Sequence, residues 1–285
     1  MTTPLAAVPA GRPRNRWRRM LRRALLLGCA AVLVCVTAAG LQLAVTPSVG
    51  SAELLAEAQA LAHGAAVPGP PVPARFAAAL VATEDHRFYS EPFGVDPFAA
   101  ARVAFSYLTG QGDPGGATLY QQLAKMLYTP GRSGPAVVGE QAALALKLDM
   151  TYSKRQILQM YAEVVYFGHG FYGLAAASCG YFGVRPAGLS WPQAAVLAGV
   201  VQDPSADDPL RYPAAARARE EHVLGRLVAT GMLSPTQARV SLALPLSRLL
   251  SGAGGCPGLR LARTRSLRSG AAGELDEAVQ VTGGL

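Results

Sequence analysis

Two short stretches of this chain combine residue types that could do acid–base and anion chemistry. The first is Glu84 followed by Asp85, at the end of the apolar stretch at residues 76–82. A carboxylate in a cleft can take a proton from a hydroxyl nucleophile. Neighbouring helical side chains point about 100° apart, so only one of the two can face a given site while the other braces the local structure. The non-functional alternative is that the pair forms a solvated helix end.

The second stretch, GGATLYQQLAK, occupies residues 115–125. Glycines just before a helix let the backbone approach a ligand closely, and a helix N-terminus favours an anion. Four polar residues follow at helical spacing and predict a shared polar face: Thr118, Gln121, Gln122 and Lys125. One cation flanked by amides suits a pyrophosphate or a sugar, whereas an ordinary amphipathic helix would present the same stripe to solvent.

The elements that must position these residues are predicted to be helices. Signals typical of helix N-termini recur at Asp96 with Pro97, Ser153 with Gln156, Ser190 with Gln193, and Ser234 with Gln237. The apolar runs at residues 142–148 and 194–201 are too long and too rich in Ala and Leu to be alternating strands. The sequence therefore predicts a mainly α domain over residues 74–245.

A membrane helix is predicted ahead of this domain. Seven arginines lie between residues 12 and 23, and residues 24–45 then carry no charge. Such a run is long enough to cross a hydrocarbon core of about 30 Å. A cleaved signal peptide is the alternative, but its apolar region is usually only about 7–15 residues long. Because arginine clusters stay in the cytoplasm, the domain is expected outside.

Charge and cysteine usage exclude several other classes. The net charge of +8 comes almost entirely from the seven N-terminal arginines, so no nucleic-acid partner is predicted. Cys179 and Cys256 lack metal-ligand spacing, and burial or an unpaired thiol is expected there rather than a disulfide framework. The histidines are dispersed as well, so no metal site is predicted.

The chain thus divides into five predicted parts: a basic cytoplasmic N-terminus (1–23), a transmembrane anchor (24–45), a short helix with a Pro-rich linker (46–73), the helical domain (74–245), and a low-complexity tail (246–285). The tail is rich in Gly, Ser, Arg and Leu without a period, which is typical of a poorly ordered segment.

Several stretches resemble the family 51 peptidoglycan glycosyltransferases in the same order along the chain. GGATLYQQLAKML at residues 115–127 is similar to the second motif of that family, residues 78–96 resemble the first, and residues 152–183 resemble the fourth and fifth. Residues 190–224 look like the C-terminal helices of the family. The resemblance covers about residues 72–240, which is most of the chain outside the anchor and the tail.

The resemblance implies a lysozyme-like helical domain at the outer face of the bacterial inner membrane that polymerises lipid II. A sugar 4-hydroxyl of the acceptor attacks the anomeric carbon of the lipid-linked donor, inverts it and expels undecaprenyl pyrophosphate. No cofactor is required, and a divalent cation such as Mg²⁺ is compatible with the pyrophosphate. The implied partners are lipid II, the growing glycan strand, the inner membrane, and transpeptidases or proteins of the division and elongation machineries.

The resemblance also implies roles for individual residues. Glu84 matches the general base, Asp85 its neighbour, and Lys125 the cation that faces the departing pyrophosphate, where charge develops. Arg132, in the loop after that motif, is a candidate second cation. The substrate-binding set is completed by Phe88, Thr118, Gln121 and Gln122.

The chain departs from the family pattern in its third and fourth motifs. Where the family has a second carboxylate, about eleven residues before Tyr-Ser-Lys, this chain has Gln141. Glu140 is adjacent and is expected to replace that carboxylate if the preceding loop shifts the register. The basic pair of the motif is absent. In the fourth motif, Gln159 stands for the usual Glu and Glu163 for the usual Asn.

Three functions remain open from the sequence. The leading one is a transglycosylase with a single anchor. A catalytically weakened lipid II-binding or scaffold protein of the same fold would also explain the departures. A lysozyme-like glycan hydrolase would need one catalytic glutamate in a helical domain, but it does not require GGATLYQQLAK.

Overall fold

The computed structural model describes residues 14–65, 67–90, 117–250 and residue 256. Within these residues the chain is helical, as predicted, and the one strand-like pairing described is an isolated antiparallel bridge between Tyr166 and Tyr172. The helices are α1 (Arg14–Val45), α2 (Ala52–Ala62), α3 (Ala74–Glu84), α4 (Leu119–Tyr128), α5 (Pro135–Thr151), α6 (Lys154–Val164), α7 (Leu174–Phe182), a short 3₁₀ turn (Pro186–Gly188), α8 (Trp191–Val200), α9 (Pro213–Ala229), α10 (Pro235–Ala243) and α11 (Leu246–Leu249).

Capping boxes begin four of these helices. In each, the glutamine three residues into the helix accepts a hydrogen bond from the backbone N–H of the capping residue, at 2.9–3.0 Å. This confirms the predicted starts at Ser153, Ser190 and Ser234, and the structure adds a fourth box, at Thr118. The predicted start at Asp96 lies outside the described residues.

The core is built around α8, which is buried along its length. Residues 194–200 are shielded from solvent because α3 and α9 pack on this helix. A β-carbon on Gly199 would lie 2.9 Å from the Cβ of Arg219, so the glycine permits the close approach of α9. Arg226 of α9 donates to the carbonyl oxygen of Ala82 at 3.0 Å and so holds the C-terminal end of α3.

Helix α2 comes before the Pro-rich segment at residues 64–73 in the sequence but packs into the same hydrophobic core as the helices after it. On α2, Ala52, Ala56 and Ala60 are buried, and this helix packs against α6 and α4. Gln59 donates to the carbonyl oxygen of Met126 at 3.1 Å. The helix before the predicted linker is therefore part of the same packed unit as the helices after it.

The structure departs from two sequence-based expectations about the C-terminal region, although Cys179 and Cys256 are buried, as expected. Leu246 and Leu249 of α11 are both 7% exposed, so order extends into the predicted tail; most of the remainder, from residue 251, lies outside the described residues. Cys179 and Cys256 form a disulfide bond. The cysteines are separated by 77 residues, and spacing along the chain could not reveal that folding brings them together.

Helix α1 contains a 29-residue stretch, Trp17–Val45, that is long and apolar enough to cross a membrane. Its C-terminal end contacts α5. The ammonium group of Lys147 donates to the carbonyl oxygens of Thr46 and Pro47 at 2.7 and 3.1 Å, so α5 holds the chain where it leaves α1.

The disulfide bond should stabilise the domain. It closes a loop with a sequence separation of 77 residues, and such a cross-link restricts the unfolded chain. We expect Cys256→Ser to lower the free energy of unfolding by about 2–4 kcal/mol, measured by urea denaturation in detergent. Cys35→Ser is the matched control because Cys35 is a free, exposed thiol on α1. Four reactive thiols in the unreduced, denatured protein would contradict the bond.

Candidate active site

Glu84 is the last residue of α3 and lies where α3, α4, α6 and α9 meet. Its Oε2 accepts a hydrogen bond from Nε2 of Gln122 at 3.1 Å. Its Oε1 is buried and has no partner among the described residues. Burial raises the pKa of Glu84, and the Gln122 hydrogen bond and the charge of Arg219 only partly oppose this effect. A half-buried carboxylate with one unpartnered oxygen is suited to accepting a proton.

The Gln122 amide is oriented from both sides. Its Oε1 accepts a hydrogen bond from the hydroxyl of Tyr161 at 2.7 Å, while its Nε2 faces Glu84 and also donates to the carbonyl oxygen of Ala117 at 3.3 Å. Tyr161 is 1% exposed, and burial raises its pKa well above the usual value, so its hydroxyl stays protonated. The hydrogen bond from Tyr161 therefore fixes Gln122 so that its N–H group points at the carboxylate of Glu84.

Asp85 braces the local structure, as the sequence predicts for one of the two neighbouring carboxylates. It is buried, and its Oδ2 accepts a hydrogen bond from the backbone N–H of Leu119 at 3.0 Å. That N–H lies at the start of α4, where the helix dipole favours a negative charge. Burial raises the pKa of Asp85, and the Leu119 N–H and the nearby charge of Lys154 oppose the rise.

The polar face predicted on α4 is only partly available to a ligand. Thr118 and Gln121 bond to each other in the capping box, and Thr118 is 3% exposed. The polar groups of both side chains are therefore used to cap the N-terminus of α4. Their positions do not support the predicted role of either residue in substrate binding. Gln122 bonds to Glu84. Lys125 is exposed and has no ion pair with any described residue.

Phe88 lies in the hydrophobic core beside the site. Its side chain is fully buried, and its ring centroid lies 5.4 Å from that of Tyr120. The ammonium group of Lys154 lies 5.1 Å from the Phe88 ring centroid and 4.8 Å from that of Tyr120. These contacts give Phe88 a packing role, and its predicted contact with substrate stays a prediction that its burial does not favour.

Arg132 and Glu140 pair with each other. The two guanidinium nitrogens lie 3.2 and 2.8 Å from the two carboxylate oxygens, in a bidentate ion pair. Gln141 instead donates to the hydroxyl of Thr129 at 2.8 Å. Among the described residues, neither Arg132 nor Glu140 contacts Glu84 or shifts its pKa. The structure therefore does not bring the expected second carboxylate to the base.

Gln159 and Glu163, the two departures in the fourth motif, bind each other. Gln159 donates to Oε1 of Glu163 at 2.8 Å, and the same oxygen accepts from the backbone N–H of Gly69 at 3.0 Å. Gln159 also lies 3.4 and 3.3 Å from the carbonyl oxygens of Gly69 and Pro70. The amide and the carboxylate together hold the Pro-rich segment against α6.

Two residues near Glu84, Arg219 and Tyr161, are not among the site residues predicted from the sequence. Arg219 on α9 donates to the carbonyl oxygen of Gly199 at 3.3 Å, and its charge lowers the pKa of Glu84. Tyr161 orients Gln122. No spacing signal links either residue to Glu84, because each comes from a helix far along the chain. In the described part of the chain, no group of three or more His, Cys, Asp or Glu residues could hold a metal ion.

Comparison with known proteins supplies the family context. The sequence model of the transglycosylase family matches residues 52–228. Penicillin-binding protein 1A of Aquifex aeolicus is 36% identical over 177 residues, which are 62% of this chain and 24% of that protein. Penicillin-binding protein 1C of Escherichia coli is 38% identical over 60% of this chain and 22% of its own length. Penicillin-binding protein 1F of Bacillus subtilis is 34% identical over 59% and 23%. The aligned region spans about a quarter of the length of these relatives.

The hydrogen bond from Gln122 should set the pKa of Glu84. We expect Gln122→Leu to raise this pKa further, because the amide stabilises the ionised carboxylate, and Tyr161→Phe to raise it less. Carboxyl ¹³C NMR of the full chain in detergent, with Glu84→Gln to assign the signal, measures both changes. Gln202→Leu, an exposed glutamine, is the control. A Glu84 that titrates at or below 4.5 in the unmodified protein would contradict the burial effect.

Proposed function

Because this chain belongs to the transglycosylase family, we propose that it is a peptidoglycan glycosyltransferase that polymerises lipid II into glycan strands. Glu84, a half-buried carboxylate with one unpartnered oxygen, is the residue on which this proposal rests. Glu84 takes the proton of the acceptor 4-hydroxyl as that oxygen attacks the anomeric carbon of the lipid-linked donor. The bond to the pyrophosphate breaks, the anomeric configuration inverts, and undecaprenyl pyrophosphate leaves.

The surroundings of Glu84 suit this proton transfer. A sugar hydroxyl is a poor nucleophile, so the base must accept its proton as the new bond forms. The raised pKa strengthens Glu84 as a base, whereas the Gln122 hydrogen bond and the charge of Arg219 oppose the rise and favour the ionised form. Tyr161 fixes the amide of Gln122, so the carboxylate is held in one orientation before the acceptor arrives.

Lys125 is the proposed cation on the donor side. It stands one turn along α4 from Gln122, and its exposed ammonium group is available to a ligand. Negative charge grows on the departing pyrophosphate, and a nearby cation lowers the barrier by stabilising it. A divalent cation such as Mg²⁺ would act on the same charge, and its participation is a separate proposal that metal titration of the reaction tests.

A second candidate function is a lipid II-binding or scaffold protein with weakened catalysis. The pairing of Glu140 with Arg132 favours it, because this bond engages both groups that the family pattern would place around the substrate. Lipid II binding that persists in both the unmodified protein and Glu84→Gln, with no polymer formed by either, would support this function over the enzyme.

We also propose that α1 anchors the chain in the bacterial inner membrane, with the N-terminus in the cytoplasm and the helical domain outside. The stretch Trp17–Val45, with its uncharged run at residues 24–45, and the seven arginines ahead of that run support this topology. The Cys179–Cys256 bond is of the kind that persists in oxidising compartments outside the cytoplasm. Transpeptidases and proteins of the division or elongation machineries are the proposed partners there.

Replacing the base should abolish most activity. We expect Glu84→Gln to reduce kcat for polymerisation of labelled lipid II by about 10²–10⁴-fold, since the amide cannot accept the proton. Glu221→Gln, at an exposed glutamate on α9, is the matched control. In the unmodified protein, kcat/KM should fall as the pH falls through a pKa above 4.5, because only the ionised base is active. Equal rates for the two variants would refute the role of Glu84.

Removing the cation on α4 should slow the same reaction. We expect Lys125→Gln to lower kcat/KM by about 10²-fold, because the leaving pyrophosphate loses its stabilising charge, and Lys125→Arg to retain more activity. Arg155→Gln removes one exposed positive charge from α6 and controls for net charge. Lipid II turnover at several ionic strengths distinguishes the variants. A similar loss in Arg155→Gln would point to a general charge effect instead.

A further inference from the structure

A second cleft opens between the end of α1 and one face of α5. Its volume is about 690 Å³, and it shares no lining residue with the surroundings of Glu84. One wall is formed by Ala38, Ala39, Gln42 and Leu43 near the end of α1, and the other is the face of α5 that carries Gly139, Ala142, Ala143 and Leu146. Apart from Gln42 on α1, the lining is apolar.

The cleft exists because polar contacts hold the two helices together beside a face of small side chains. The amide Nε2 of Gln42, the polar side chain of the lining, lies 3.5 Å from the carbonyl oxygen of Ala136 and donates to it. At the other end, Lys147 donates to the carbonyl oxygens of Thr46 and Pro47. Between these contacts, alanines and a glycine are too small to fill the space between the helices.

Helix α5 is apolar on two faces. Leu144, Ala145 and Leu148 are buried in the core of the domain. The residues that line the cleft lie on another side of the same helix. A helix that is apolar around most of its circumference is normally buried in protein or in lipid. Among the described residues, α1 covers this second face of α5 only in part, and the cleft between the two helices is open to an apolar partner.

The cleft lies at the depth of the outer leaflet if α1 crosses the membrane as proposed above. The last basic residue before the apolar run is Arg23, and about 20 residues of helix cross the hydrocarbon core, so that core ends near Leu43. Beside the cleft, Leu41 and Val45 are 64% and 66% exposed. Water would find few hydrogen-bond partners on these walls, whereas hydrocarbon chains would surround them.

We propose that this cleft binds a hydrocarbon chain of an outer-leaflet phospholipid, which fills the space between α1 and α5. Its volume falls in the range of about 300–1,000 Å³ that is typical of small-molecule sites. The lining carries no charged side chain, so it offers nothing to a pyrophosphate. The lipid-linked substrate must instead keep its pyrophosphate near Lys125 on α4, which does not line the cleft.

The proposal can be tested with the full chain in nanodiscs of phosphatidylglycerol that carries a photoreactive diazirine in its acyl chain. After irradiation, mass spectrometry of the digest maps the lipid adducts. We expect adducts on α1 and also on the α5 segment at residues 139–146. Ala142→Trp should strongly reduce the α5 adducts, because the indole fills part of the cleft and blocks the space between its two walls. Ala39→Trp fills part of it from α1 and should give the same loss, which separates filling from a local defect in α5.

Leu41→Trp is the matched control, since it adds the same bulk at the same depth on an exposed part of α1 outside the cleft lining. It should keep the α5 adducts. Adducts confined to α1, or α5 adducts that survive both filling variants, would overturn the proposal. Displacement of the α5 adducts by undecaprenyl phosphate but not by unlabelled phospholipid would assign the cleft to a polyprenyl chain and overturn it too.

The outcome is separable from the enzymatic proposal. If the protein does not polymerise lipid II but the α5 adducts form and disappear as expected, the lipid site stands and the enzyme does not. A lack of adducts on both α1 and α5 would overturn the membrane crossing and the lipid site together, whereas lipid II turnover would still report on Glu84.

Discussion

The hydrogen bond from the backbone N–H of Leu119 to the carboxylate of Asp85 joins the end of α3 to the start of α4. Because it is buried, water does not compete for either partner, and the relative position of the two helices is held. Glu84 precedes Asp85, and Gln122 follows Leu119 by less than one turn. The same contact therefore helps to set the distance between the amide of Gln122 and the carboxylate of Glu84.

Other parts of the fold support this junction from different directions. Arg226 on α9 binds the last turn of α3, and Tyr161 on α6 binds Gln122. Lys154, also on α6, lies against the ring of Phe88 in the segment after α3. Each contact comes from a helix whose position depends on the central helix α8 or on packing against α4. Glu84 is thus held by tertiary contacts from several helices.

The departures from the family pattern have different consequences. Gln159 and Glu163 bind each other, and together they hold the Pro-rich segment. Glu140 and Gln141 do not bind each other, since Arg132 binds one and Thr129 the other. Whatever charge balance the second carboxylate provides in relatives, this chain must obtain it elsewhere or work without it.

The sequence by itself determined the helical class, three capped helix starts, the apolar first helix, and the bracing role of one of two neighbouring carboxylates. These are local properties, set by residues within one or two turns of each other. The Thr-x-x-Gln spacing at Thr118 carries the same local signal and identifies a cap where a ligand contact is predicted. Only the tertiary structure decided that Tyr161 orients Gln122, that Glu140 bonds to Arg132, that Phe88 is buried, and that Cys179 meets Cys256. In most of these cases the partners lie on elements well separated in the chain, and even for Glu140 and Arg132 the loop between α4 and α5 sets the direction of the side chains.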